Sequence, residues 1–114
     1  MTGVQTCALP ICWWLAGASG QIVRMVNGQQ TLQQAPKPTQ LWGIFEAGSN
    51  DVYAVGGYGS CVPGECDGVI WHSSDGQTWQ DAGVPEPLRK MAMWWKVWAR
   101  SSQDVWIEIG RAHV

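Results

Sequence analysis

An internal repeat is the feature that most constrains the fold of this chain. Residues 41–54 align without gaps on residues 94–107, and 53 positions separate Asp51 from Asp104. In both copies an aromatic and β-branched segment is followed by a small polar turn, and then by Asp, Val and an aromatic residue. A repeat of this length indicates similar units that bury their faces against one another.

A second pair of segments extends the repeat towards the amino terminus. Residues 20–28 align on residues 68–76, and residues 13–17 align on residues 52–56. The second copy has a longer segment between these pieces, which we interpret as an insertion in a loop because loops tolerate insertions. The repeat therefore covers most of the chain.

The second copy predicts four strands, at residues 42–46, 51–56, 68–73 and 78–81. The dipeptide Asp75-Gly76 predicts a type I′ hairpin turn between the third and fourth strands, and Asn27-Gly28 predicts the same turn one copy earlier. We expect no helix, because the candidate segment 88–93 is short and lacks a good cap.

Four antiparallel strands at this period form one blade of a β-propeller. We therefore expect an all-β fold that is a fragment of a β-propeller. It would contain one nearly complete four-stranded blade, with its core at residues 41–82, and parts of two neighbouring blades. Blades bury their faces only against each other, so such a fragment is expected to be marginally stable.

The composition gives no support for a nucleic-acid partner or a membrane span. The formal net charge is −2 in 114 residues, which gives no electrostatic reason to expect nucleic acid as a partner. No apolar run approaches the roughly 18 residues that a membrane span needs. The chain carries nine tryptophans and 14 glycines, which suit half-buried strands and tight turns.

Two cysteines flank a short loop with the sequence CVPGEC. A disulfide between Cys61 and Cys66 would hold this loop closed in an oxidising compartment. Two free thiols are the alternative. A zinc site that adds Asp67 and His72 lacks a second paired ligand motif, so we predict no metal and no cofactor.

The segment 73–79, SSDGQTW, resembles the Asp-box hairpin of sialidase-type propellers and sortilin-like receptors, shortened by one residue. The resemblance implies a structural role, in which Asp75 and Gly76 form the turn and Trp79 packs between blades. The phrase Asp-Val-aromatic, with the aromatic strand before it, is similar to repeats in large secreted or lipid-anchored bacterial propeller proteins. This resemblance implies an extracellular or cell-surface parent protein.

Polar and aromatic side chains in the repeat supply the remaining candidate site residues. Asp51 and Asp104 recur at one repeat position, so we interpret them as turn caps and not as a catalytic pair. Tyr58, Trp71 and Trp94 are the weak candidates for ligand binding, because aromatic rings on a rim suit sugars or proteins. The alternative places these rings in the core between blades.

The two ends of the chain differ from the repeat. Residues 1–11 and 108–114 resemble translated sequencing-adapter DNA, as in a metagenomic library, so we interpret both as artefacts that flank the propeller fragment at residues 12–107. Segments of this kind are excluded from reasoning about the fold.

The sequence predicts a non-catalytic piece of a secreted binding or scaffold protein. Its partners would be an unknown protein or glycan and the other blades of a missing parent propeller. The alternative is a fragment of a sialidase-like or other glycoside hydrolase propeller whose catalytic residues lie outside this chain. The arginines Arg24, Arg89 and Arg100 show no repeated placement that suggests a shared active site.

Overall fold

The computed structural model describes residues 3–6, 12–57, 62 and 64–109. The strands of this part form three antiparallel sheets, each ordered as the strands follow along the chain. The first sheet contains β1 (Gly3–Thr6), β2 (Cys12–Ala16), β3 (Gln21–Val26) and β4 (Gln29–Gln34). The second contains β5 (Leu41–Gly48), β6 (Asp51–Gly56), β7 (Val69–Ser73) and β8 (Gln80–Asp81), and the third contains β9 (Trp94–Ser101) and β10 (Asp104–Ile109). The expected all-β class is confirmed.

The aligned segments of the repeat form equivalent strands. The 41–54 copy forms β5 and β6, and the 94–107 copy forms β9 and most of β10. Residues 13–17 and 20–28 form β2 and β3, and the segments they align on form β6 and β7. The expectation of only a partial neighbour is wrong for the first sheet, which has four strands because β1 pairs with β2 from Gly3 opposite Ala16. This strand lacks the aromatic pattern of the repeat, so the pattern did not predict it.

The interpretation of residues 1–11 and 108–114 as flanking sequence stays a prediction. Within those ranges, the structure describes residues 3–6, which form β1, and residues 108–109, which end β10. The other residues of both ranges lie outside the described part of the chain.

The second sheet lies between the other two. Alternate residues of a strand point to opposite faces of its sheet. Val52, Ala54 and Trp71 pack in a buried cluster with first-sheet residues such as Trp14 and Ile22. The opposite face carries Val55, with Phe45, Tyr53 and Ile70, and packs against Trp94, Val97, Val105 and Ile107. Both faces of the second sheet are therefore covered.

The first strands of the three sheets approach each other closely. A Cβ atom on Gly3 would lie 3.2 Å from the Gly43 backbone, and a Cβ atom on Gly43 would lie 3.1 Å from Lys96 Cα. Such contacts are tight for any side chain, so glycine permits this spacing of the backbones. β1, β5 and β9 consequently lie side by side at one edge of the stack of sheets.

One of the two predicted type I′ turns forms. Asn27 and Gly28 both have positive φ, at 50° and 82°. The prediction is wrong at Asp75-Gly76, where only Gly76 has positive φ. The Asp75 carboxylate accepts hydrogen bonds from the Gln77 and Thr78 amides, which stabilises a longer loop and delays the fourth strand to Gln80.

The prediction of no helix is also wrong. A short helix, α1, spans Glu86–Met91, with a proline in its first turn. Tertiary contacts supply what the isolated segment lacks, because the amides of Gly64 and Cys66 donate to the Lys90 carbonyl and the Gly68 amide donates to the Arg89 carbonyl. Within the described residues, no helix is long and apolar enough to cross a membrane.

Candidate functional site

The candidate site is a pocket of about 240 Å³ where the first strands of the three sheets meet. We call it the inner-strand pocket. Its walls are Gly3 and Val4 of β1, Trp42, Gly43, Ile44 and Phe45 of β5, and Lys96 and Val97 of β9.

The strand order explains why this pocket is polar. β1, β5 and β9 each lie at the edge of their sheet, so each has one side without a hydrogen-bonded neighbouring strand. Edge strands present backbone N–H and C=O groups that can bind a ligand. Lys96 is the one charged residue among the described lining residues. The pocket thus combines backbone donors and acceptors with a single positive charge.

A pair of stacked tryptophans stands beside the pocket. The rings of Trp42 and Trp95 lie 5.0 Å apart between centroids, at an interplanar angle of 20°. The Trp42 indole N–H donates to the Gly57 carbonyl at 2.8 Å, which fixes that ring. Trp95 is 41% exposed, so part of its ring is open to solvent. The pair forms a rigid aromatic surface next to a polar cleft.

Two equivalent bulges create this arrangement. The pairing of β5 with β6 shifts register between Leu41 and Gly43, at Trp42, and the pairing of β9 with β10 shifts opposite Trp95. A bulge redirects its side chain out of the regular alternation. Sequence reasoning missed Trp42, Trp95 and Lys96 as site residues. The available signal was that Trp42 and Trp95 share one repeat position.

The aromatic residues that the sequence suggested for ligand binding do not form a rim. Trp71 is 2% exposed and Trp94 is 6% exposed, and both pack in cores between sheets. The prediction is wrong for these two because the faces that carry them are covered by neighbouring sheets. Tyr58 lies outside the described residues.

The Asp-box-like loop has the geometry that the resemblance implies. The Asp75 carboxylate accepts hydrogen bonds from the Thr78 amide, the Gln77 amide and the Thr78 and Ser73 hydroxyls. These bonds, led by the one from the Thr78 amide, hold the pKa of Asp75 well below its usual range. The loop is therefore fixed by its own aspartate.

Trp79, at the end of this loop, packs against the first sheet. Its ring meets Trp14 edge to face, with centroids 5.9 Å apart, and its indole N–H donates to the Gln33 side chain at 2.6 Å. The Gln33 amide in turn donates to the Gly76 carbonyl at 2.9 Å. The loop of one sheet thus closes the interface with the preceding sheet.

The two repeated aspartates start strands but contact side chains. The Asp51 carboxylate hydrogen-bonds to His72, whose ring stacks on Tyr53 with centroids 4.5 Å apart. Asp104 accepts from Arg100 and from the Trp106 indole. Among the described contacts, neither carboxylate accepts a hydrogen bond from the turn backbone. The predicted role of Asp51 and Asp104 as turn caps is therefore not seen, and side chains are their partners instead.

The Asp51, His72 and Tyr53 group is the nearest approach to a catalytic constellation in the described residues. Burial raises the pKa of Tyr53, and the negative charge of Asp51 raises it further. A tyrosine with a raised pKa is neutral at pH 7 and a poor nucleophile. This group therefore has a histidine and an orienting acid but no activated nucleophile.

The cysteines agree with an oxidised protein. Cys66 is disulfide-bonded, and so is Cys12, which the sequence reasoning did not anticipate. Cys61, the predicted partner of Cys66, lies outside the described residues, so the pairing stays a prediction. In the described part of the chain, no group of three or more His, Cys, Asp or Glu side chains lies together where it could hold a metal ion.

The three arginines in the described part of the chain lie in different surroundings. Arg24 lies over Trp14 and donates to Asn50, Arg89 pairs with Asp67, and Arg100 pairs with Asp104. Each guanidinium has a partner of its own, and among the described contacts no two share one.

Comparisons of the chain with protein-family models, with curated proteins and with solved structures found no match.

Proposed function

We propose that this chain is a non-catalytic binding module of the β-propeller type, from a secreted binding or scaffold protein, and that its inner-strand pocket binds a glycan. The observation that carries the proposal is the stacked Trp42–Trp95 pair beside a polar pocket. Sugars present apolar C–H faces that pack on aromatic rings and hydroxyls that pair with backbone groups.

Several features support the propeller part of this proposal. The sheets are successive antiparallel meanders in chain order, and their first strands lie side by side. Such an arrangement is expected of adjacent blades around a channel. The Asp-box-like loop, with Trp79 between two sheets, adds to this support. Cys12 and Cys66 each take part in a disulfide bond, which suits an extracellular or cell-surface location.

The features of the pocket favour a glycan over a protein ligand. The pocket is small, at about 240 Å³, and is concave, whereas a protein partner needs a broad surface. Lys96 adds a cation that would favour a sugar bearing a carboxylate. We propose no catalytic role, because the described arginines and carboxylates do not converge on this pocket.

The test is calorimetric titration of the chain with a panel of neutral and acidic oligosaccharides. We expect binding of at least one class, weakened about fivefold or more by Trp95→Ala, since an aromatic contact contributes about 1 kcal/mol or more. Trp13→Ala is the matched control, because Trp13 is 43% exposed and lies on another sheet. Equal loss in both variants, or no binding to any sugar, would refute the glycan site.

A further inference from the structure

Among the described residues, the third sheet has one large apolar surface that no other sheet covers. Trp98 and Trp106 lie opposite each other on β9 and β10, with ring centroids 6.5 Å apart, and are 51% and 60% exposed. A cavity of about 420 Å³ lies beside them, between Lys96, Val97, Ile107 and Glu108. We call this side of the third sheet the tail face. Exposed apolar surface of this kind marks an interaction site.

The first sheet has a second, largely apolar surface on its far side that no other described sheet covers. Trp14, Ala16 and Ile22 point towards the second sheet, so the alternate residues point away from it. The outward residues include the apolar Val4, Trp13, Leu15, Val23, Met25 and Leu32, together with the uncharged polar Gln21, Gln30 and Gln34. None of them is charged, and Val4, Trp13 and Leu32 are 55%, 43% and 67% exposed. We call this side of the first sheet the head face.

The sequence repeat shows which covered face of the second sheet corresponds to the tail face and which corresponds to the head face. Trp98 and Trp106 of the tail face align on Phe45 and Tyr53. Phe45 and Tyr53 belong to the second sheet, and the third sheet covers them. On the head face, Leu15 aligns on Ala54, which the first sheet covers. Head-type and tail-type faces therefore meet twice within the chain, once between each pair of successive sheets.

We propose that the tail face of one copy binds the head face of a second copy, so that the chain associates head to tail. A second copy presents the surface that the repeat already pairs with a tail-type face. A tail-to-tail contact would place Trp98 and Trp106 against themselves, and the described residues contain no contact of that kind. Lys96 and Glu108 lie opposite each other on β9 and β10, so this part of the tail face carries one charge of each sign and does not oppose an uncharged head face.

The test is sedimentation velocity over a range of concentrations on the wild-type chain and two charge variants. Trp106→Glu disrupts the tail face, and Trp13→Glu disrupts the head face. We expect assemblies that grow with concentration for the wild type, and monomers for each variant alone, with association weakened about 100-fold or more by a buried unpaired charge. Trp13 and Trp106 are both exposed, so each monomer should keep the wild-type circular dichroism spectrum.

Mixing the two variants distinguishes the proposal from its rivals. A mixture in equal amounts should form a dimer and nothing larger, because it contains one intact tail face and one intact head face. A tail-to-tail contact would instead leave Trp13→Glu associated on its own, and a head-to-head contact would leave Trp106→Glu associated. If Trp13→Glu fails to fold, Leu32→Glu on the same face replaces it.

Three results would overturn the inference. They are a wild-type chain that stays monomeric at the highest concentration, a variant that still associates alone, and a mixture that forms no dimer. Val4 and Lys96 border both the inner-strand pocket and the two faces, but the glycan site is tested by Trp95→Ala and the association by Trp106→Glu and Trp13→Glu, so the two outcomes are distinguishable.

Discussion

The interface between the first and second sheets and the interface between the second and third sheets derive from one repeat, yet they are filled differently. Trp79 occupies the first interface and packs on Trp14. The second interface contains a groove of about 320 Å³, lined by Tyr53, Ile70 and Val84 among others. Tyr53 stands at the repeat position of Trp14. The groove beside Tyr53 therefore corresponds to the place that the Trp79 indole fills in the first interface.

The polar residues that lie over the Trp14 and Tyr53 rings also occupy equivalent positions of the repeat. Arg24 aligns on His72, and each covers the aromatic residue of its own sheet, with the Arg24 guanidinium 5.0 Å from the Trp14 ring centroid and His72 stacked on Tyr53. The first interface is completed by the loop between the third and fourth strands of the following sheet, which carries Trp79. Within the described residues the third sheet has two strands and no such loop.

Removal of the Trp79 side chain should have the largest effect, because it would make the first interface resemble the second. Trp79 is 8% exposed and hydrogen-bonded to Gln33. We expect Trp79→Ala to lower the free energy of unfolding by about 3–5 kcal/mol. Urea denaturation of the monomer would measure this loss. Trp106→Ala is the control and should cost much less, and equal losses would contradict the role of Trp79 in closing the interface.

A smaller effect is expected from the residues above the rings. Arg24→Ala removes a cation over Trp14 and a hydrogen bond to Asn50, and should cost about 1–2 kcal/mol. His72→Ala acts in the more open interface, where its side chain is 32% exposed, and should cost about 1 kcal/mol or less. Parallel urea unfolding curves would compare them. A larger loss for His72→Ala would reverse the ranking of the two interfaces.

The smallest effect should come from Asp75→Asn, and it should depend on pH. The folded-state pKa of Asp75 is lowered, so its contribution to stability is complete above its unfolded pKa of about 4 and is lost as the pH falls through the folded value. We expect the variant to melt a few degrees below the wild type at pH 7, with the gap narrowing below about pH 4. Thermal melts at several pH values would show this, and a gap independent of pH would exclude the carboxylate as its cause.

The strands of the second sheet could be predicted from sequence because they carry aromatic and β-branched residues at repeated positions. β1 could not, because its residues follow no repeat. The helix α1 could not either, since its last carbonyls are satisfied by the amides of Gly64, Cys66 and Gly68, which are distant in sequence. Local patterns contain no information about such partners.

The site was harder to predict than the fold. Trp71 and Trp94 look the same in sequence as Trp42 and Trp95, and only the covering of each face by a neighbouring sheet separates buried rings from exposed ones. The bulges at Trp42 and Trp95 also leave no mark in a strand pattern of period two. The hydrogen bonds that Asp75 accepts are local, so a sequence pattern can indicate them, whereas the contacts of Trp79 with Gln33 and Trp14 are distant in sequence.

The hydrogen bonds between the β6–β7 loop and α1 affect how the chain folds. The loop belongs to the second sheet, whereas α1 belongs to the linker that leads to the third. Opening the loop would leave the carbonyls of Arg89 and Lys90 without these amide partners, and melting the helix would release the loop. Neighbouring units of a repeat protein often unfold one at a time. We expect the loop and helix to join two of them into one cooperative unit, so that amide hydrogen exchange at Gly64, Cys66 and Gly68 reports the loss of the third sheet.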